Sequence, residues 1–229
     1  MKNAFKKTLL FSIAICCIIT SYAQDSQKNK TILSPTIEVT GGANLPLYRQ
    51  SAKKDLNIGV KLQYAIGLQV GLDIACPHGI FAIQTGAIVN SHDLSSNYKA
   101  PFSINLDFRS VFVNIPFIFG YHYRINDKFM INASVGYIVK QLAQYKMSYN
   151  IPGFDITNKT MHGITASIGF SYVASPHFSF RMEPVFEYFW WKYSTSSTNE
   201  SYNKLCNCLS APMLGLRFTL KYNILKEYN

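Results

Sequence analysis

Large apolar side chains recur at every second position along most of the chain. A period of two predicts β-strands, because successive strand residues point to opposite faces. Near the C-terminus Leu214, Leu216, Phe218, Leu220 and Tyr222 alternate with Gly215, Arg217, Thr219 and Lys221. Upstream, Phe178, Phe180, Met182, Phe186, Tyr188 and Trp190 share one face, and Ser179, Arg181, Glu183 and Glu187 the other. Further runs start at Tyr64, Phe81, Val111, Phe129 and Ile164, and a weaker one crosses Ile37 to Asn44, interrupted by Gly41 and Gly42. These make eight strands, an even number, as bacterial single-chain barrels have. No apolar stretch of the roughly 20 residues that a membrane helix requires lies in this part of the chain.

The connections between strands alternate in length. Cys76-Pro77-His78-Gly79, Arg124-Ile125-Asn126-Asp127-Lys128 and Ala174-Ser175-Pro176-His177 are short and built from turn-forming residues. The other four, over 45–60, 91–107, 146–160 and 194–210, are long and polar. Transmembrane barrels have short turns at the periplasmic end and longer loops outside. On that model both termini are expected in the periplasm. Pro116 and Pro184 fall inside strands, where proline removes a ladder hydrogen bond, and a bulge could accommodate each.

Alternation alone does not say which face is inside. The polar face carries Gly67, Gly71, Gly86, Gly120, Gly136, Gly163, Gly169 and Gly215. Glycine weakens a strand face exposed to water, but it relieves crowding in an eight-stranded lumen, which is barely wide enough for side chains. The fold expected is therefore an all-β, eight-stranded, antiparallel up-and-down transmembrane barrel with its bulky apolar residues outward. Arg181, Arg217 and Lys221 would then pair inside with Asp73, Glu183 and Glu187, since buried charges need partners. Tyr123, Phe129, Phe178 and Tyr222 lie near the short-turn ends of strands, and Tyr64, Tyr188 and Trp190 toward the long-loop ends. Two such rings suit the two interfaces of a bilayer. A soluble barrel, apolar inside, is the alternative.

The N-terminus fits export. Lys2, Lys6 and Lys7 precede an uncharged apolar run over 8–20, and Ser21-Tyr22-Ala23 offers a cleavage site before Gln24. The expected organisation is a signal peptide over 1–23, a short periplasmic segment over 24–35 and a barrel over 36–229. Cys16 and Cys17 lack the small residues that a lipid-attachment site needs before it. Cleavage removes three lysines and lowers the formal charge from +10 to +7. Nucleic acid is the usual partner of a basic chain, but an exported chain rarely meets it. Outer-membrane lipid and lipopolysaccharide are the expected partners instead. The mature chain keeps Cys76, Cys206 and Cys208, an odd number that suggests no disulfide framework; Cys206 and Cys208 would close only a strained ring.

Four features together resemble the small outer-membrane β-barrel proteins of Bacteroidetes called PorT-like. They are the Tyr22-Ala23-Gln24 junction, the segment Val113-Asn114-Ile115-Pro116-Phe117-Ile118-Phe119, the turn and glycine-bearing strand over 128–139, and a last alternating strand near the C-terminus. The resemblance spans nearly the whole mature chain. It implies a barrel fold and, from the name-giving member, an association with protein export, with envelope or secretion proteins as partners. Tyr222 or Tyr228 would supply the aromatic residue that barrel insertion reads near the C-terminus.

Candidate chemistry is sparse. His92 lies beside Ser91, Asp93, Ser95 and Ser96, and His162 opens a strand, so a Ser-His-acid site at the outer rim is one reading. Ordinary solvated loop residues are the plainer one. His78, His177 and Cys76 sit in short turns and are too few for a metal site. Arg49, Lys53 and Lys54 form a basic patch suited to lipopolysaccharide phosphates. The expectation is a non-enzymatic barrel that needs no cofactor or metal and serves as a structural or interaction component of the envelope. The alternatives are a rim-site enzyme acting on lipid or lipopolysaccharide, or a narrow channel.

Overall fold

Each alternating run becomes one long strand in the computed structural model, which describes residues 33–47, 56–76, 78–98, 104–147, 156–191, 194–195 and 210–224. The barrel strands are β1 (Leu33–Pro46), β2 (Gln63–Cys76), β3 (Gly79–Tyr98), β4 (Ile104–Arg124), β5 (Phe129–Met147), β6 (Thr160–Val173), β7 (Phe178–Trp191) and β8 (Met213–Asn223). Each is antiparallel to its chain neighbour, and β1 closes the cylinder against β8 from Thr36↔Asn223 to Pro46↔Met213. The described residues contain no helix. Closure removes the two sheet edges that would otherwise expose unpaired backbone groups. The predicted signal junction at Ala23 and Gln24, the basic patch Arg49, Lys53 and Lys54, Cys206 and Cys208, and Tyr228 lie outside the described residues.

Turn chemistry fixes the short end. Asn126 Oδ1 accepts from the backbone N–H of Lys128 and of Phe129, both at 2.9 Å. Ser175 Oγ accepts from the N–H of His177 at 3.3 Å and of Phe178 at 3.1 Å. These side chains satisfy backbone donors that have no strand partner at the bend.

The faces follow the sequence pattern. Outward lie Ile66 at 66 % exposure, Phe119 at 61 % and Ile168 at 62 %. Inward on the same strands lie Gln69, His122 and Thr165, all buried. Lumen glycines make room for their neighbours: a Cβ on Gly71 would come 2.8 Å from Thr36 Oγ1 and 3.0 Å from Gln84 Cγ. One on Gly169 would lie 2.7 Å from Cα and Cβ of Glu183.

Two expectations are corrected. Neither proline forms a bulge. The β3–β4 ladder passes from Thr85↔Phe117 to Ile88↔Asn114, and the β6–β7 ladder from Ser167↔Val185 to Phe170↔Met182, skipping two pairs each without a change of register. Losing the proline N–H interrupts the ladder locally while the flanking pairs hold the strands aligned. The bulges of the barrel ladders fall instead between Val111 and Phe112 and between His162 and Gly163.

The second correction concerns the segment over 91–107, expected as a loop. It is strand for most of its length: β3 and β4 stay paired out to Tyr98↔Ile104, and Leu56–Val60 pairs with the same end of β3. There the polarity reverses. Leu94, Phe108 and Phe112 point inward and pack with Ile138, Leu142, Ile156, Met161, Phe189 and Met213 into a buried apolar core. Ser91 and Arg109 point outward and are exposed. An apolar interior with a polar exterior is how a barrel is built in water. The long-loop end therefore forms a water-adapted cap on a cylinder whose middle is inverted.

Candidate functional site

All six charged residues expected in the lumen face it, and the strand register lets them meet. Lys221 on β8 pairs with Asp73 on β2 at the short-turn end. Arg181 on β7 lies 3.5 Å from Glu183, and Arg217 on β8 bridges Glu183 at 3.9 Å and Glu187 at 3.7 Å. These side chains are almost entirely removed from solvent, with Arg217, at 12 %, the most exposed. Their mutual attraction, strengthened where water is excluded, offsets the cost of desolvating each charge.

The structure adds members that the sequence reading left out. Glu38 is fully buried and accepts from Arg181 at 2.7 Å through Oε2 and from Gln84 Nε2 at 2.7 Å through Oε1. Its position between Ile37 and Val39 in an alternating run was the available signal. Lys140 continues the inward parity of β5 three residues past Tyr137, where the alternating run ended. Among the described residues the lumen therefore holds four acids, Glu38, Asp73, Glu183 and Glu187, against four cations, Lys140, Arg181, Arg217 and Lys221. Neutral groups knit the ladder together. His122 Nδ1 lies 2.5 Å from Asn132, which donates to Ser171 at 2.7 Å. Ser167 donates to Glu183 at 2.8 Å and lies 2.7 Å from Ser134.

The alternative rim site around His92 does not assemble. Ser91, Asp93 and Ser95 have outward parity, while His92 is buried inside the cap. Its Nε2 lies 3.0 Å from Lys140 Nζ, and its ring meets Phe112 edge-on at 4.5 Å. Lys140 also stands over the rings of Phe112 at 4.5 Å and Phe189 at 5.2 Å. A cation over aromatic faces is attracted by the ring quadrupole, which helps a buried ammonium in an apolar setting. His162, on the outer wall, hydrogen-bonds Tyr137 through Nδ1 and stacks on its ring. His177, in its turn, lies 3.0 Å from the carbonyl of Asn223 at the end of β8, His78 is exposed at another turn, and the two turns do not adjoin. Cys76 donates to the Gly79 carbonyl at 3.0 Å. No metal-ligating cluster of three or more residues occurs among the described residues.

A polar cavity of about 10 Å³ between Thr40, Asn90, Glu187 and Arg217 has room for about one water molecule. Above it lies the apolar cap. Outside, the aromatic residues named from the sequence form two collars: Tyr123, Phe129, Phe178 and Tyr222 at the turn end, Tyr64, Tyr188 and Trp190 toward the cap. All are at least 38 % exposed.

Comparison with known proteins agrees with this architecture. A family model described as a domain of unknown function, DUF2715, matches residues 23–224. No curated protein sequence matches the chain. Among solved structures, the outer membrane protein OprG from Pseudomonas aeruginosa is similar in fold, with a TM-score of 0.53 at 13 % identity over 83 % of this chain and 93 % of that one. Neisserial surface protein A aligns over 82 % and 97 % at 12 % identity with a TM-score of 0.43. Ail, the attachment invasion locus protein of Yersinia pestis, aligns over 84 % and 97 % at 11 % identity with a TM-score of 0.38. The fold is that of the eight-stranded outer-membrane barrels.

Proposed function

The chain belongs to the DUF2715 family, a domain of unknown function, and from that premise we propose that it is an integral, non-enzymatic outer-membrane barrel serving as a structural or interaction component of the cell envelope. One observation carries the reading. A continuous outward girdle of Ile, Leu, Val and Phe, bounded by aromatic collars, surrounds a charge-paired lumen. Soluble monomers rarely expose contiguous apolar patches beyond a few hundred Å², whereas a bilayer requires such a surface. The short turns and the termini then lie in the periplasm and the apolar-cored cap outside. The segments joining strands at the cap end, with the strand residues there, carry ten Lys or Arg against five Asp or Glu. That excess suits lipopolysaccharide phosphates as a partner surface. The resemblance to PorT-like proteins extends the reading to envelope or export partners.

The test is extraction of the mature chain. It should leave membranes only with detergent and migrate faster unheated than boiled on a denaturing gel. Monodisperse behaviour in plain buffer would overturn the reading. Co-purification from detergent-solubilised membranes would then identify envelope partners.

A further inference from the structure

The outward girdle is not uniformly smooth. A groove of about 350 Å³ crosses it, lined by Val39 of β1, Phe170 and Tyr172 of β6, Phe180 and Met182 of β7, and Phe218 and Leu220 of β8. Register explains its shape. Val39, Leu220, Phe180 and Tyr172 form one cross-strand row, and Gly41, Phe218, Met182 and Phe170 the next. Gly41 contributes no side chain and Met182 is only part-exposed, so the second row is low at two of its four positions. Between them Arg181 and Thr219 turn their side chains into the lumen and leave main chain as the floor. Ring edges thus wall a trough with almost no polar surface, and its volume falls within the range of ligand sites.

The trough lies toward the short-turn end, close to cationic groups. Tyr172, in its wall, packs on Phe129 with ring centroids 5.3 Å apart, and the next residue, Val173, donates its N–H to the carbonyl of Lys128 at 2.8 Å. Lys128 is exposed; so are Arg124 and the single acid Asp127 of the same turn. His177 sits at the adjacent turn, stacked on Tyr222 at 5.8 Å. An apolar trough inside the girdle, ending at a cationic rim, matches one chemistry: an acyl chain attached to a phosphate.

We infer that this groove is a specific site for one phospholipid of the periplasmic leaflet, its acyl chain between Phe180 and Phe218 and its phosphate at Lys128. The inference rests on the membrane-spanning reading above. Bulk hydrocarbon covers the whole girdle, but here a trough and a cation rim coincide, so this lipid exchanges more slowly than its neighbours.

The full mature chain, extracted in mild detergent and washed, is assayed for bound phosphorus and by native mass spectrometry. The wild type should retain a stoichiometric phospholipid. Leu220→Trp, which fills the trough from the outer surface, should abolish retention, and Lys128→Gln should reduce it several-fold. Phe119→Trp, outward on β4 at the opposite wall, should leave it unchanged. Equal retention by all four proteins, or none by the wild type, overturns the site. A chain that needs detergent but retains no lipid refutes the site alone, whereas a chain soluble without detergent refutes the membrane reading beneath it. Heat-modifiable gel mobility of each variant confirms that loss of lipid is not loss of fold.

Discussion

Glu38 shows how a single side chain couples three strands. Its two oxygens are taken by Arg181 and Gln84, so β1, β7 and β3 are fixed to one another across the lumen. Glu38→Gln removes the charge and keeps the shape, leaving Arg181 paired with Glu183 at 3.5 Å. Breaking a buried pair by removing one member costs about 3–5 kcal/mol, because the other charge stays buried. The expected result is a large fall in the urea midpoint of the mature chain in lipid vesicles, followed by tryptophan fluorescence. Glu38→Gln combined with Arg181→Met should cost clearly less than the two single losses added together, since the orphaned charge is then gone. Strict additivity would show that the pair is not coupled. The six charges read from the sequence stood in the strongest alternating runs, where parity alone assigns them inward. Glu38 was missed because Gly41 and Gly42 blur the pattern of its strand, and Lys140 because the outward run on β5 loses its large residues after Tyr137.

The eight strands and their faces were legible because period two survives throughout, but their outer limits were not. The reading stopped each strand where large apolar residues ceased to point outward. In β3 and β4 the period continues past that point with its phase reversed: Ser91, Asp93 and Ser95 outward, Leu94, Phe108 and Phe112 inward. The environment outside changes from hydrocarbon to water, so the preferred face for apolar groups swaps while the backbone ladder runs on. His92 was read as a loop residue for the same reason. This predicts a cost that depends on depth along one outward face. Val135→Arg, in the middle of the girdle at 57 % exposure, should destabilise the barrel by about 2–4 kcal/mol, the range for a cation at the bilayer midplane. Ser91→Arg, at the border of the cap, should cost about 0–1 kcal/mol. Unfolding titrations in vesicles measure both. Equal penalties would mean that the outward face meets one environment along its whole length.

At the scale of the whole molecule, the described lumen residues set four acids against four cations. A conducting barrel needs a continuous wet path, and two sections of this lumen oppose one. The polar section leaves space for about one water beside Glu187 and Arg217. Beyond it, Phe112, Phe189, Leu142, Met161 and Met213 line the cap end as an apolar core. An ion entering there would exchange its hydration shell for apolar side chains. The wild-type barrel should therefore show no stable conductance steps in planar bilayers. The core is also where that property is most open to change. Phe112→Ala with Phe189→Ala removes two fully buried rings that meet Lys140 from both sides. Each truncation should cost about 3–5 kcal/mol through the cavity it leaves. If the double variant still folds, water can enter around the Lys140 ammonium, and small cation-repelling steps that favour anions should appear. Conductance equal to the variant's in the wild type would show that the cap does not seal the lumen. A folded double variant that remained silent would place the barrier lower, in the salt-bridged section between Asp73 and Glu187.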